Sequence, residues 1–136
     1  MPDEIRVQLS LTGFAHDPRK LTEIIGLTPS KTWVAGEPVE RSKRTYESNG
    51  WRVTAPQRVD EVEAGVDALF DHLAPRWENL RNVSRECRVE LGVVVYAERQ
   101  VPAIHFRDDQ IRQLTELSAK IDVDVYCLGD ARSRRG

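Results

Sequence analysis

Cysteine and histidine are scarce in this sequence, and long apolar runs are missing. Its two cysteines, Cys87 and Cys127, lie far apart and form no Cys-x-x-Cys motif, which excludes a disulfide framework and favours reduced thiols in the cytoplasm. No segment has the roughly eighteen consecutive apolar residues of a membrane-spanning helix. The opening residues, MPDEIRVQLSL, lack the basic start and apolar core of a secretion signal. We therefore expect a cytoplasmic protein without a membrane partner.

Recognisable catalytic motifs are absent as well. The chain has no GxSxG, HExxH, GxGxxG or phosphate-binding GxxxxGK sequence. Its three histidines, His16, His72 and His105, show no metal-ligand spacing. We therefore expect no cofactor and no resident metal, and these absences disfavour an enzyme.

The charge balance gives no general attraction to nucleic acid. The formal net charge is −2 and the pI is near 5.9, so the chain lacks the broad basic field that binds a phosphate backbone. A chain of 136 residues with 40% hydrophobic and 31% charged side chains is typical of one soluble domain. We assign residues 1–128 to a single domain and residues 129–136 to a flexible basic tail.

Strands are predicted wherever apolar and polar residues alternate. The clearest segments are Ile5–Thr12 and Arg88–Tyr96, and shorter ones are Trp51–Ala55 and Asp122–Leu128. Ala103–Phe106 is either a further short strand or an extended lead-in to a helix. These segments are sufficient for one sheet.

Helical periodicity fills the segments between those strands. The first helix begins at Asp17-Pro18, where aspartate is a good cap and proline suits the first turn, and it ends at Gly26. Inside the longest helix, we expect Gly65 to be a tolerated glycine that costs about 1 kcal/mol relative to alanine. The remaining helices are predicted at Val62–Leu73, from Pro75 through Leu80, and from Asp108 or Asp109 through Ile121.

Strands with one apolar face, together with amphipathic helices, predict an α+β fold built as a two-layer sandwich. We expect a mixed or antiparallel sheet of about four to six strands with the helices on one face. The segments Arg6–Leu9 and Arg88–Leu91 each open a strand that leads through a helix to a further strand. This echo suggests a duplicated strand–helix–strand unit, although chance similarity between two half-buried strands explains so short a match better.

The polar face of the sheet is the first candidate surface. Without helices to cover it, this face is solvated, binds a protein partner, or pairs with its twin in a homodimer. The residues expected on it are Arg6, Gln8, Ser10, Arg88, Glu90, Tyr96, Asp122, Asp124 and Tyr126.

Two carboxylates on that face are candidates for a metal-binding or catalytic role. Asp122 and Asp124 stand two residues apart on one strand, with their carboxylates roughly 6–7 Å apart. Such a pair could bind a cation or act as an acid and a base, and His105 is the histidine that could reach it. The favoured alternative is ion pairing with Arg6 or Arg88, or simple solvation. A metal-assisted enzyme using the two aspartates and the histidine therefore ranks third among the hypotheses.

The second candidate surface is the segment Thr28–Trp51, which interrupts the periodic pattern. We expect Trp51 to begin a strand and to lie in the core. Trp33 either covers the edge of the core, which we favour, or lines a groove where its area contributes to binding. A basic group in this segment could hold a phosphate or an acidic partner, or belong to a solvated loop. The basic residues are Arg41, Lys43 and Arg44.

The order of these segments resembles the bacterial domain-of-unknown-function family 4279. The resemblance extends from Ile5 to about Leu128, and its motifs are Leu21–Ser30, Trp33-x-x-Gly36, Trp51 and Ile121–Tyr126. It implies a small, stand-alone bacterial cytoplasmic α+β protein, and it brings no activity or catalytic residues. The residues that match the family's pattern are Gly26, Pro29, Trp33, Gly36, Trp51, Asp124 and Tyr126.

The sequence therefore favours a non-enzymatic binding or protein-interaction module, immunity-like or regulatory, with a protein partner or a second copy on the open sheet face. The alternative is a small-molecule or anion-binding regulatory domain. The candidate binding residues are Trp33, Arg41, Lys43, Arg44, Asp124 and Tyr126.

Overall fold

Segments with alternating polarity pair into one five-stranded sheet. The computed structural model describes residues 4–56 and 58–127. The strands are β1 (Glu4–Thr12), β2 (Lys31–Trp33), β3 (Gly50–Thr54), β4 (Arg88–Ala97) and β5 (Lys120–Cys127). Their order is β2-β3-β1-β4-β5, with β4 and β5 parallel and the other neighbours antiparallel. The predicted mixed sheet is confirmed.

The helices lie between the strands, and the first one has the predicted boundaries. The Asp17 carboxylate caps it by accepting a hydrogen bond from the Arg19 amide at 2.8 Å, and Gly26 ends it with a φ of 83°. The helices are α1 (Pro18–Ile25), α2 (Val62–Leu73), α3 (Trp77–Ser84) and α4 (Asp108–Glu116), with a 3₁₀ turn at Ala74–Arg76.

A polar network, rather than an aspartate cap, holds the start of α4. Arg107 is the residue before the helix, and its amide donates to the Gln110 side-chain oxygen at 3.1 Å. Its guanidinium donates to both carboxylate oxygens of Asp67 on α2, at 3.1 and 2.7 Å. The fully buried Gln110 also donates to Asp67, at 3.0 Å. These bonds fasten α4 to α2, and the bonds from Arg107 hold the pKa of Asp67 below its usual range.

The hydrophobic core lies between the sheet and the four helices. It contains the apolar residues of β1, β3 and β4 together with residues from α1, α2, α3 and α4. Trp51 is fully buried there, as predicted, and its indole N–H donates to the Thr22 hydroxyl at 3.1 Å. None of the helices within residues 4–56 and 58–127 covers the other side of the sheet. The two-layer α+β sandwich is therefore confirmed.

Gly65 is required by packing, which corrects the expectation that it is only a tolerated helix residue. A Cβ at this position would lie 2.6 Å from Cγ2 of Val7 on β1, which is far inside van der Waals contact. The missing side chain lets α2 approach the sheet closely.

The two strand–helix–strand units differ in their pairing. The strands β4 and β5, joined through α4, are parallel neighbours. The strands β1 and β2, joined through α1, run in the same direction, but β3 lies between them. The Ala103–Phe106 segment forms no strand and is the lead-in to α4. The two similar sequences thus begin units with the same order of elements, but the two strands of each unit are neighbours in the sheet only in the second unit.

Two expectations concern the ends of the chain and the membrane. The predicted tail, residues 129–136, lies outside the described residues. Within the described part, no helix is both long enough and apolar enough to cross a bilayer.

Candidate functional site

The open face, which is the side of the sheet without helices, gathers polar residues from all five strands. The register sets Lys31 beside Arg52, Arg52 beside Ser10, Ser10 beside Glu90, and Glu90 beside Lys120. By the same alternation, all nine residues predicted for this face lie on it. The sheet therefore presents a mainly polar surface that extends across all five strands.

At the β2–β3 end of this face, four side chains form what we call the aromatic–cation cluster: Lys31, Trp33, Tyr46 and Arg52. The two rings stack, with centroids 5.2 Å apart and planes at 24°. The Arg52 guanidinium carbon lies 5.0 Å from the Trp33 centroid. The Lys31 ammonium lies 5.8 Å from the Trp33 centroid and 5.9 Å from that of Tyr46. All three cation-to-ring distances fall within the range of cation–π attraction.

Trp33 lies flat on the sheet because Gly50 has no side chain. The register sets the two residues opposite each other, and a Cβ at Gly50 would fall inside the indole ring. The side chain is only 7% exposed, yet it lies outside the hydrophobic core. The expectation that Trp33 covers the edge of the core is therefore wrong. Its ring is buried on the opposite side of the sheet, against Tyr46, Lys31 and Arg52.

A short hairpin within residues 34–49 brings Tyr46 to Trp33. The Gly36 amide donates to the Tyr46 carbonyl at 2.8 Å, and the Tyr46 amide donates to the Glu37 carbonyl at 2.9 Å. Gly36 has a φ of 91°, a left-handed conformation that favours glycine. Gly36 therefore has a structural role in placing the second aromatic ring.

Asn49 ties this hairpin to the loop between β1 and α1. Its side-chain oxygen accepts a hydrogen bond from the Ala35 amide at 2.9 Å. Its side-chain nitrogen donates to the carbonyls of His16 at 2.9 Å and Phe14 at 3.4 Å. The segment that interrupts the sequence pattern is thus held at both ends, and the aromatic–cation cluster is built on a fixed frame.

Arg52 is a half-buried cation without a carboxylate partner among the described residues. Its Nε donates to the Ser10 hydroxyl at 2.9 Å. Neither Arg52 nor Lys31 takes part in an ion pair within residues 4–56 and 58–127. Burial lowers the pKa of Arg52, and the charges of Tyr46 and Glu90 partly oppose that shift. Arginine nevertheless keeps its charge in proteins, so the terminal amino groups can bind an anion.

A concavity of about 590 Å³ lies beside the cluster. Trp33 and Tyr46 form part of its wall, and Arg44 is the one member of the predicted basic group that lines it. Arg41 and Lys43 are exposed on the same loop but do not reach this concavity. The structure therefore places Arg44 with the aromatic rings and leaves the other two basic residues apart.

A second aromatic pair lies at the β4–β5 end of the open face. Tyr126 stacks on Tyr96, with centroids 5.2 Å apart and planes at 16°. The Arg6 guanidinium carbon is 5.9 Å from the Tyr96 centroid. Tyr126 is 51% exposed. This predicted residue is therefore accessible to a partner, but it lies at the other end of the sheet from Trp33.

The two aspartates on β5 do not form the ion pairs that the sequence favours. Arg6 bonds to Glu4 instead, at 2.9 Å. Neither Asp122 nor Asp124 takes part in an ion pair with another described residue. Their charges are solvated, which is the other alternative that the sequence allows, and they face outward beside Tyr126.

His105 lies on the helix side of the sheet, in contact with Glu63 of α2. It borders a cavity of about 360 Å³. Asp122 and Asp124 face the opposite side, so the three residues of the hypothetical metal-assisted enzyme do not meet. Among the described residues, no cluster of three or more His, Cys, Asp or Glu side chains is suited to a metal ion.

Cys87 is not an activated nucleophile. Cys87 is half-buried and donates a weak hydrogen bond to the Val83 carbonyl at 3.4 Å. Burial raises the pKa of this thiol to about 11, which suppresses the reactive thiolate. Cys127 is exposed at the end of β5.

The sequence analysis did not single out Lys31 and Arg52, which belong to the cluster, or Gly50, over which the indole ring lies. The signal was present in Lys31-Thr32-Trp33, since residues two apart on a strand share a face. Without the β2–β3 register, however, nothing in the sequence links Lys31 and Trp33 to Gly50 and Arg52.

A model of a protein family, described as Domain of unknown function (DUF4279), matches residues 3–128. The match agrees with the resemblance drawn from the sequence. No curated protein and no solved structure matches the chain significantly.

Proposed function

Because the chain belongs to the family described as a domain of unknown function (DUF4279), no activity can be transferred to it, and we propose a function from its geometry. The protein is a non-enzymatic interaction module that binds an acidic protein partner through the open face. The aromatic–cation cluster binds a carboxylate-bearing segment of that partner. The role is regulatory or immunity-like, which means that binding itself is the activity.

The observation that supports this proposal is the state of Arg52. The other half-buried arginines among the described residues pair with carboxylates, Arg81 with Glu78 and Arg107 with Asp67. Arg52 is half-buried, and its described hydrogen-bond partner is the Ser10 hydroxyl. A partly desolvated charge with no carboxylate in direct contact is unfavourable for folding alone, and the more distant Glu90 offsets its burial only in part. A partner's carboxylate would supply the missing bonds.

The shape of the open face also favours a protein partner. The five strands total 35 residues, which at about 3.3 Å per residue and a strand spacing of about 4.8 Å present roughly 550 Å². A standard protein interface covers about 800 Å² on each partner, so the face and its loop are of suitable size. Tyr46 and Arg52 are residue types enriched at binding hot spots.

Affinity capture from a lysate of the source organism tests this proposal. Three baits are compared. One is the wild-type protein, and one carries the double substitution Lys31→Gln/Arg52→Gln, which removes both charges of the cluster. A matched double substitution, Arg85→Gln/Arg112→Gln, removes two exposed charges from the helix layer. We expect a protein that is captured by the wild type and by the helix-layer variant but lost with the cluster variant. Equal capture by all three baits, or by none, would argue against the proposal.

A second candidate function is binding of a small anion that carries a planar ring. The concavity of about 590 Å³ favours it, because the ring could rest against Tyr46 while Arg44 holds the charged group. Thermal denaturation with benzoate and adenosine monophosphate, at millimolar concentration, tests this function. Stabilisation by either compound that disappears in Arg44→Gln would support it, and no stabilisation by either would contradict it.

We also propose that the protein works in the cytoplasm, and that a second copy of the chain is the alternative occupant of the open face. Both cysteines are free, which suits a reducing compartment. Light scattering of the purified wild type and of the Lys31→Gln/Arg52→Gln variant separates the two kinds of occupant. If the wild type is a dimer and the variant is a monomer, the occupant of the open face is a second copy of the chain and not another protein.

A further inference from the structure

The outer edge of β5 is a long strand edge without a neighbour among the described residues. The strand Lys120–Cys127 pairs with β4 along its whole length, and every one of its eight residues is exposed. The opposite edge of the sheet is β2, which has only three residues. An uncovered edge presents a row of unpaired N–H and C=O groups to which another chain can pair. The sheet therefore has one edge suited to strand addition.

The two faces of β5 differ in chemistry. On the helix side, Ile121, Val123 and Val125 are 39%, 37% and 40% exposed, so the helices leave this apolar stripe partly uncovered. On the open side, Asp122 and Asp124 alternate with them and form no ion pair within residues 4–56 and 58–127. A complementary strand would carry apolar residues on one face and positive charges on the other.

We propose that the outer edge of β5 binds an extended segment of a protein partner in which basic residues alternate with apolar residues. Main-chain hydrogen bonds to the edge supply affinity, and alternate side chains supply selectivity, as in other strand-addition complexes. The basic residues of the segment face Asp122 and Asp124. Its apolar residues cover the stripe of Ile121, Val123 and Val125.

A second copy of the chain fits this edge poorly. Two-fold antiparallel pairing over Lys120–Tyr126 sets Asp122 opposite Asp124, and pairing over Ile121–Cys127 sets Asp124 opposite its own copy. These registers pair seven of the eight residues. Each places like charges directly opposite, which destabilises the pairing. A basic segment of another protein removes this repulsion.

This edge is separate from the aromatic–cation cluster, which lies at the β2–β3 end of the sheet. The inference does not depend on the function proposed for that cluster. If both hold, the open face has a basic end for an acidic partner and an acidic edge for a basic strand.

The probe for the test is an end-capped, fluorescent eight-residue peptide that alternates valine and lysine. Its binding to the full-length protein is followed by fluorescence anisotropy at low salt. Three control peptides accompany it: one in which glutamate replaces lysine, one with the same residues in a blocked order, and one with N-methyl groups on all backbone amides, which blocks both edges of the strand. We expect saturable binding of the valine–lysine peptide and at least tenfold weaker binding of the three controls.

The protein variants identify the site. Asp122→Asn/Asp124→Asn should weaken binding about fivefold, the effect of losing two exposed ion pairs. The matched variant Asp71→Asn/Glu86→Gln removes two exposed charges from the helix layer and should leave the affinity unchanged. Hydrogen exchange of the free protein should show rapid exchange at alternate β5 amides and protection of those amides when the peptide is bound.

Three results would overturn the proposal. One is equal affinity for the lysine and glutamate peptides, or no binding of either. Another is equal weakening by both protein variants, since binding would then follow net charge alone. The third is full protection of the β5 amides in the free protein, because the edge would then already be covered by the chain itself or by a second copy.

Discussion

Replacement of Gly50 by alanine tests how the aromatic–cation cluster is built. Trp33 lies across the position that a Cβ of residue 50 would occupy. Because the overlap is with a rigid indole ring on the sheet surface, a small side-chain adjustment cannot relieve it. Alanine must displace the ring from Gly50, and with it the stacking on Tyr46 and the platform beneath Arg52.

The size of the effect follows from the burial of Trp33, which is only 7% exposed. A buried tryptophan removes roughly 200 Å² from water, and at about 25 cal/mol per Å² its full release would cost close to 5 kcal/mol. A displaced ring can still cover part of the sheet, so we expect about half of that upper bound. The predicted loss of unfolding free energy is therefore about 2–3 kcal/mol.

Urea denaturation and tryptophan emission measure the two parts of this prediction. Gly92→Ala is the matched control, because it is a strand glycine on the same face whose Cβ would meet the flexible Gln8 side chain at 3.2 Å. We expect Gly92→Ala to change stability by less than about 1 kcal/mol. Gly50→Ala should be less stable and should shift the emission to longer wavelength as Trp33 becomes exposed. Equal stability of the two variants with unchanged emission would refute the placement of Trp33 on Gly50.

Three further predictions concern the rest of the fold. Gly65→Ala should destabilise the protein by about 1–3 kcal/mol in urea, because its Cβ would overlap β1; stabilisation, as helix propensity alone predicts, would contradict the close packing. The hydrogen bonds from Arg107 lower the pKa of Asp67 in the folded protein. The ionised Asp67 carboxylate therefore contributes fully to stability above the unfolded pKa of about 3.9, and this contribution is lost as the pH falls through the folded pKa. The stability difference between wild type and Asp67→Asn should accordingly shrink on acidification, and a constant difference between pH 6 and pH 2 would contradict it. At pH 8, iodoacetamide should modify the exposed Cys127 well before Cys87, whose thiol pKa is about 11; equal rates, followed by mass spectrometry, would contradict the burial of Cys87.

The parts of the fold that local chemistry determines could be predicted from the sequence. Alternation fixed the apolar faces of β1 and β4, and the Asp17-Pro18 and Gly26 signals marked the ends of α1. Trp51 was placed in the core because it lies on the same side of its strand as Val53. These predictions needed only residues that are neighbours along the chain.

The parts that depend on long-range pairing could not be predicted. Trp33 is apolar, and burial was the correct expectation, but only the β2–β3 register shows that Gly50 receives it on the open face. The cap of α4 is Arg107 because Asp67 holds its guanidinium from across the fold, in addition to the local bond from its amide to Gln110. Likewise, His105 contacts Glu63 on the helix side, so its closeness in sequence to β5 did not bring it to the aspartates.

The central claim is that the half-buried Arg52 binds a carboxylate of a protein partner. Calorimetric titration of the captured partner, with wild type, Arg52→Gln and Arg85→Gln proteins, tests it most directly. A buried arginine at the centre of an interface contributes about 2 kcal/mol or more, which corresponds to a roughly thirtyfold change in Kd. We predict a roughly thirtyfold higher Kd for Arg52→Gln and an unchanged Kd for Arg85→Gln. Equal Kd values for all three proteins would contradict the claim.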